Sequence, residues 1–367
     1  MADARRKIIT LTLTQACNLR CSYCYENNKS HREMDFDLVK KILDEALNDD
    51  ENFDEYEIDF FGGEPFLKFD LIRQSVYYAR TTYPEKMMVF MATTNGTIVH
   101  GEIKQWLRDH ADIFVCGLSL DGNKKMHDIN RSNSFDKIDV DFFATTWPTQ
   151  HMKMTVSAET LPYLSEGIVF MHEHGYLFTC NLAYDIDWSN PDNAAILEAE
   201  LMKLIDYYLE HPDVSPCQLL NVPIQMITAA APDQSFRQCG AGEEMFSYDV
   251  DGHAYPCQFF MPVTLGEERA QQARSLEFRD ELFREDFPQP CCDCVALRIC
   301  QNCYGANYES TGDPMKKDDD WCRLQKIIFK ATAYFRWILY KNGRLNCPED
   351  ELGYNLQAID LLLNHMN

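Results

Sequence analysis

No apolar run in this sequence approaches the roughly 20 residues that cross a bilayer, so no membrane span is expected. The first fourteen residues do not read as a secretory signal. The stretch after Arg5, Arg6 and Lys7 is short, broken by threonines and without a small-residue cleavage site. Basic charge is scarce, with 34 Lys and Arg against 58 Asp and Glu and a formal charge of −24. Nucleic acid and anionic membrane repel such a chain, which excludes both as general partners. Internal repeats and low-complexity segments are also absent, which excludes a solenoid. Aromatic residues at 12% and charged residues at 25% exclude disorder. With 46% hydrophobic content, the 367 residues can bury a sizeable core in two domains or one large one.

What the chain has in excess is cysteine, 15 in all. Three lie in Cys17–Cys24 and five in Cys291–Cys303. Dense disulfides belong mostly to small secreted domains. Thiols without a secretory route stay reduced, and clustered reduced thiols point to metal or catalysis. Cys116 and Cys180 lie in strand-like runs and are expected to be plain core.

Strand-like and helix-like stretches alternate through about residue 210. Lys7–Thr14, Tyr56–Phe61, Lys86–Thr93, Phe114–Leu120, His151–Ala158 and Leu177–Asp185 read as strands. Asp37–Leu47, Leu71–Arg80, Glu102–His110, Leu164–His174 and Ala194–Glu210 read as helices. This predicts an α/β fold with a parallel sheet, and six such units are too few for an eight-fold barrel. From Val214 to Cys322 helical periodicity fades and prolines, glycines and cysteines become frequent, which predicts a loop-rich second domain. Gln325–Tyr340 reads as an amphipathic helix whose aromatic stripe is packing, and Asp318–Asp320 as a solvated acidic run. The expected division is 1–213, 214–324 and 325–367.

Cys17, Cys21 and Cys24 sit on one loop between a predicted strand and a predicted helix. Soft thiolates select iron–sulfur clusters, zinc or copper(I). Three ligands leave one position open, as reactive sites do, or form most of a structural zinc site with a distant fourth ligand. The pattern Cys-x3-Cys-x2-Cys, with Tyr23 before the third cysteine, resembles the signature of the radical SAM superfamily. Gly62-Gly63-Glu64-Pro65, Thr94-Asn95-Gly96 and Ser119-Leu120-Asp121-Gly122 follow successive strands in that family's order, with Arg131 further on. The resemblance implies a partial (β/α)6 TIM-like barrel and a [4Fe–4S] cluster on Cys17, Cys21 and Cys24. S-adenosylmethionine (SAM) would chelate the open iron. Tyr23, Gly62, Gly63, Glu64, Pro65, Asn95, Ser119, Asp121 and Arg131 would lie around it, with Glu64 at the methionyl ammonium and Ser119 at the ribose. Asp121 and Arg131 have an equal claim to bracing loops.

The later cysteines run Cys239, Cys257, Cys291, Cys294, Cys300, Cys303 and Cys322. Paired cysteines alone are compatible with zinc ribbons. Their order, with Cys239-Gly240-Ala241-Gly242 and the run from Asp251 to Cys257, resembles the SPASM domain of radical SAM enzymes. It departs in having two residues before Cys303 where three are usual. The resemblance implies a distal auxiliary [4Fe–4S] cluster on Cys291, Cys294, Cys300 and Cys322. A nearer one would use Cys239, Cys257 and Cys303, with Cys217 or an open site as fourth ligand. Three clusters in all are implied. Cys292 is expected to point away, and Cys347 has no assigned role.

Enzymes of this layout mostly modify peptides or proteins. The expectation is therefore a maturase of a ribosomally made peptide, which abstracts hydrogen and leaves a crosslinked or oxidised product such as a thioether. The alternative is an anaerobic, formylglycine-generating sulfatase maturase. Those enzymes usually carry an aspartate after the cysteine equivalent to Cys257. Gln258 stands here and cannot act as a base, although it remains a candidate substrate contact. A zinc-stapled binding protein without catalysis is the remote alternative. A ferredoxin- or flavodoxin-type reductant, a reducing cytoplasm and an anaerobic host are implied. No fused peptide-binding domain is read before Lys7, so leader recognition falls to a separate protein or to the catalytic domain.

Overall fold

The computed structural model describes residues 5–48, 53–229 and 234–366. Eight strands follow one another: β1 (Arg6–Thr14), β2 (Glu55–Gly62), β3 (Met88–Thr94), β4 (Phe114–Leu118), β5 (Met152–Val156), β6 (Phe178–Leu182), β7 (Met245–Tyr248) and β8 (Ala254–Tyr255). One sheet has the order β4-β3-β2-β1-β7-β8, and β5 pairs with β6. From β4 to β7 every pairing is parallel, and β8 is antiparallel to β7. All six predicted strands and the five helices predicted through residue 210 are present, shifted by a few residues at their ends. The fold is therefore α/β with a mostly parallel sheet.

Contacts divide the chain into two compact units. The first comprises Met1–Met154, Gly175–Phe178 and Gly240–Phe278, and the second Thr155–His174, Thr179–Cys239 and Arg279–Asn367. These are not the boundaries expected at 213/214 and 324/325. Residues 240–278 join the first unit because β7 extends the sheet beside β1, pairing Ile8 with Met245 through Leu11 with Tyr248. Four residues are too few to show a strand period, so β7 was invisible in the sequence.

In the first unit, alternate strand residues point into a core under the helices. Ile9, Leu11, Ile58, Phe60, Phe90, Phe114 and Cys116 are all at most 1% exposed. The Phe60 ring stacks against Phe90 and Phe114 at centroid distances of 6.3 and 6.0 Å. Helix Phe36–Leu47 buries Val39, Ile42, Leu43, Ala46 and Leu47, which recur at helical spacing. Its start is fixed by Asp35, whose side chain accepts the Leu38 amide. Parallel pairing carries the loops after β1, β2, β3 and β4 to one edge of the sheet, where sites of such folds form.

The second unit combines helices with its strand segments and with a loop-rich stretch, 279–303, of short 3-10 turns. Helix Asp192–Glu210 buries Leu197, Leu201, Leu204, Ile205 and Tyr208. Cys180 is fully buried, as expected of core. Helix Asp319–Lys341 begins six residues before the predicted start. The acidic run explains the difference: Asp318 is the N-cap and accepts the Trp321 amide at 3.0 Å, and Asp319 and Asp320 lie in the first turn against the helix dipole. Cys322 is thereby placed on a helix rather than a loop. A further helix, Leu352–Asn364, forms in the tail.

Candidate active site

The three N-terminal thiols lie on the loop after β1, each half-buried and free of disulfides. Cys21 feels the charge of Cys24 and Cys17, and Cys17 that of Cys24. Burial pushes the Cys21 thiol up to about 11, opposed by the Arg131 guanidinium. Lys29 places its ammonium 3.0 Å from the Cys24 sulfur and 3.4 Å from the buried Glu26 carboxylate. Thiols so buried ionise when a metal takes them, and such binding releases protons. Four thiolates at 2.3 Å on one tetrahedral zinc stand about 3.8 Å apart. Among the described residues no cysteine trio has its sulfurs within 4.8 Å of one another; only the Asp249, Asp251 and His253 set does. The three soft donors on one loop fit an iron–sulfur cubane, whose thiolates sit on separate irons.

The Gly62–Pro65 loop locks this cysteine loop in place. Gly63 and Glu64 donate their amides to the carbonyls of Thr14 and Ala16, both at 3.0 Å. A Cβ on Gly63 would stand 2.3 Å from the Ala16 carbonyl oxygen and 2.9 Å from Cys17 Cβ. Gly62 has φ +134°, and its Cβ would meet the Thr14 oxygen at 2.1 Å. The glycines therefore serve backbone approach first. Glu64 is 1% exposed, and both its oxygens have partners. Oε1 accepts from Thr94 Oγ1 at 2.8 Å and from the Phe66 amide at 3.2 Å, and Oε2 accepts from the Asn95 amide at 2.9 Å. Burial pushes its carboxyl up to about 7 against those hydrogen bonds. Asn95 joins Asn18 and Thr97 in a closed ring of hydrogen bonds at 2.7–2.8 Å. Asn18 sits inside the cysteine motif and was not singled out in the sequence, where one asparagine among cysteines carries no signal.

Asp121 is the second anchor. It is fully buried, and its Oδ2 accepts from Tyr23 Oη at 2.8 Å, Arg131 Nε at 2.9 Å and Asn130 Nδ2 at 3.1 Å. The guanidinium lies 5.3 Å from the centre of the Tyr23 ring. The Asp121 amide points at His127 Nδ1 at 3.3 Å, and Ser134 holds the other ring nitrogen at 3.0 Å. Burial and the Arg131 charge lower the His127 pKa to about 4, which keeps the ring neutral. Asp121, Arg131 and Tyr23 thus brace the cysteine loop against the end of β4. Ser119 is only half-buried and makes no side-chain hydrogen bond among the described residues, so its hydroxyl is available.

A family model described as a 4Fe-4S single cluster domain matches residues 7–136, the segment holding all of these groups. The cysteine-type anaerobic sulfatase-maturating enzyme of Clostridium novyi is 33% identical over 89% of this chain and 96% of its own length. The chain belongs to the radical SAM enzymes. The uncharacterized protein MJ0907 of Methanocaldococcus jannaschii is 32% identical over 48% of this chain, and the match spans 61% of that relative. The structure of anSMEcpe with bound AdoMet and Cp18Cys peptide shares the fold, with a TM-score of 0.67 and 18% identity over 92% of this chain and 99% of that one. A radical SAM enzyme holds a 4Fe–4S cluster and SAM, and the soft thiols of Cys17, Cys21 and Cys24 on one loop fit that cluster.

Two further sets of thiols lie in the second unit. Cys291, Cys294, Cys300 and Cys322 ring a cavity of about 250 Å³, which Lys317 and Lys326 also line and Cys292 does not. Burial pushes Cys291 and Cys322 up, and each feels the charge of other members of the set. Cys239 and Cys303 share the neighbourhood of Tyr184, whose phenol is raised by burial and by their charge. Cys217 lies elsewhere in that unit: its amide donates to Tyr208 Oη at 2.9 Å, and the same phenol feels Cys180. In the first unit, buried Cys257 precedes the short turn Gln258–Phe260, and Gln258 is half-buried.

Asp59 is a titratable group that sequence pattern did not mark, because an acidic residue in an alternating strand reads as facing solvent. It lies on β2 between Thr10 of β1 and Met91 of β3. Burial pushes its carboxyl up to about 7, with Lys153 opposing and Glu57 assisting. Folding favours the protonated form, so this contribution to stability is complete below the ordinary carboxylate range and is lost as pH rises through about 7. Asp59→Asn stays neutral. It is expected to gain ~1–2 kcal/mol on the wild type as pH rises from about 4 to about 7, and to level off above. Denaturant midpoints across that range check this; parallel curves for the two proteins would contradict it.

Proposed function

We propose that this enzyme is a radical SAM maturase of a ribosomally made peptide, with a partial (β/α)6 barrel from β1 to β6 and a SPASM-type cysteine domain. As a division by chemistry rather than by packing, 1–213 is the barrel, 214–324 the auxiliary domain and 325–367 a helical extension. The observation that carries the radical reading is the braced cysteine loop, three half-buried thiols on one loop locked by Gly63 and Asp121. When bound, the cluster and SAM supply a 5′-deoxyadenosyl radical, which takes a hydrogen atom from the substrate. The chain's residues orient that chemistry. Gly62, Gly63, Pro65 and Asn95 shape the loops around SAM. The Glu64 carboxylate, already holding the ends of β2 and β3 together, presents negative charge toward the SAM ammonium. The free Ser119 hydroxyl meets the ribose. Tyr23, Asp121 and Arg131 keep the thiol loop rigid and exclude water behind it.

The four-thiol cavity holds the distal auxiliary cluster, and its two lysines offset thiolate charge. The resemblance assigns Cys239, Cys257 and Cys303 to the nearer one. Its fourth ligand is Cys217 or an open site. A ferredoxin- or flavodoxin-type protein supplies the electron. Gln258 contacts substrate rather than removing its proton.

The likeness to anSMEcpe with AdoMet and a peptide supports a peptide substrate, and identity to the C. novyi enzyme favours formylglycine formation as a second reading. Gln258 weighs against the second reading. Coexpression with the small open reading frame beside the gene, followed by mass spectrometry, separates the two. Loss of two hydrogens from that peptide supports the first; an aldehyde formed on a cysteine-containing sulfatase peptide, with the neighbouring peptide unchanged, supports the second.

A further inference from the structure

Besides Gln238, whose side chain bonds the Arg298 carbonyl and the Asn302 amide, five carboxamides, Asn181, Gln218, Asn221, Gln301 and Gln325, line one cavity of about 380 Å³ within the second unit. None makes a side-chain hydrogen bond among the described residues. The Gln218 Oε1 atom is buried without a partner. A buried acceptor left unpaired costs about 1–3 kcal/mol, so such atoms call for an explanation. The rest of the wall is largely apolar, with Leu219, Ile328 and Phe329 all under 7% exposed. Arg298 reaches the cavity too, but its guanidinium is engaged, donating to the Gln234 and Ser235 carbonyls at 2.9 and 3.1 Å and lying 3.6 Å from the Phe236 ring centre.

We propose that this cavity binds an uncharged stretch of the substrate peptide through its main chain. A neutral carboxamide carries a donor and an acceptor side by side and matches the paired N–H and C=O of a peptide unit. The five amides are uncharged, so they offer nothing that would select a phosphate or a carboxylate. The volume falls within the range of about 300–1,000 Å³ typical of ligand pockets. The lining also abuts the auxiliary thiols: Gln238, on its wall, precedes Cys239, and Ile299 and Gln301 flank Cys300. A peptide seated here is read by backbone rather than by side chain, which lets one site hold substrates of varied sequence next to the auxiliary cluster region. The inference deepens the peptide-maturase reading and rests on it.

The test uses the cluster-loaded enzyme under anaerobic conditions and a positional-scanning library of fluorescein-labelled nonapeptides, read by fluorescence anisotropy. The best binder is resynthesised with each backbone amide N-methylated in turn. N-methylation at two or more positions is expected to weaken wild-type binding about tenfold each, and the Gln218→Leu/Gln325→Leu variant is expected to bind the parent peptide about tenfold or more weakly. In that variant N-methylation at those positions loses its effect. Iron content and a thermal melt verify the variant; Gln301→Leu, at an exposed position, replaces it if it does not fold. Unchanged peptide affinity in folded variants, with the N-methyl profile retained, overturns the pocket and leaves the peptide reading standing. Failure of every library peptide to bind the wild type overturns the peptide reading itself.

Discussion

Cys21→Ala is expected to reduce SAM cleavage to the uncatalysed background and to remove about four irons per chain, leaving the auxiliary iron in place. In the proposed assignment the three thiols of the β1 loop would form one ligand set, and two thiolates alone would not hold that cluster. The loss stays local because the four-thiol cavity belongs to the second unit. Formation of 5′-deoxyadenosine with dithionite as reductant, measured beside iron content, checks both parts. Cleavage that survives the substitution, or a complete loss of iron, would contradict the assignment of separate sites.

Asp121→Ala is expected to cost ~3–5 kcal/mol of stability, because it leaves the buried Arg131 guanidinium without its counter-charge. It also leaves the Tyr23 hydroxyl and Asn130 amide without the acceptor they share. Tyr23 precedes Cys24, so the same change loosens the thiol loop and lowers the iron bound there. A direct SAM ligand would behave differently. In that case Asp121→Asn, which keeps the shape, would weaken SAM binding without moving the denaturant midpoint. A bracing role predicts that the midpoint falls first and that SAM affinity follows the iron content.

The motif cysteines and the glycine loop were legible because their chemistry is local. A few thiols at short spacing, or two glycines before a carboxylate, keep their meaning wherever the fold places them. The six strands were legible from apolar alternation. What escaped depended on partners distant in sequence. β7 is four residues long and becomes a strand only beside β1. Asp318–Asp320 read as a solvated run until the helix behind it gave Asp318 an amide to cap. Asp121 and Arg131 had an equal claim to SAM and to bracing, and the three bonds on one oxygen, which support bracing, join residues that no local pattern pairs. The carboxamide cavity gathers residues from 181 to 325, none of them part of a motif.

The account stands on iron–sulfur rather than zinc chemistry in the cysteine sites, and the most direct test is the count of iron, acid-labile sulfide and zinc per chain in protein purified without oxygen. It predicts about twelve irons with matching sulfide, for three [4Fe–4S] clusters. Two or three zincs without sulfide would contradict it and leave a zinc-stapled protein without radical chemistry.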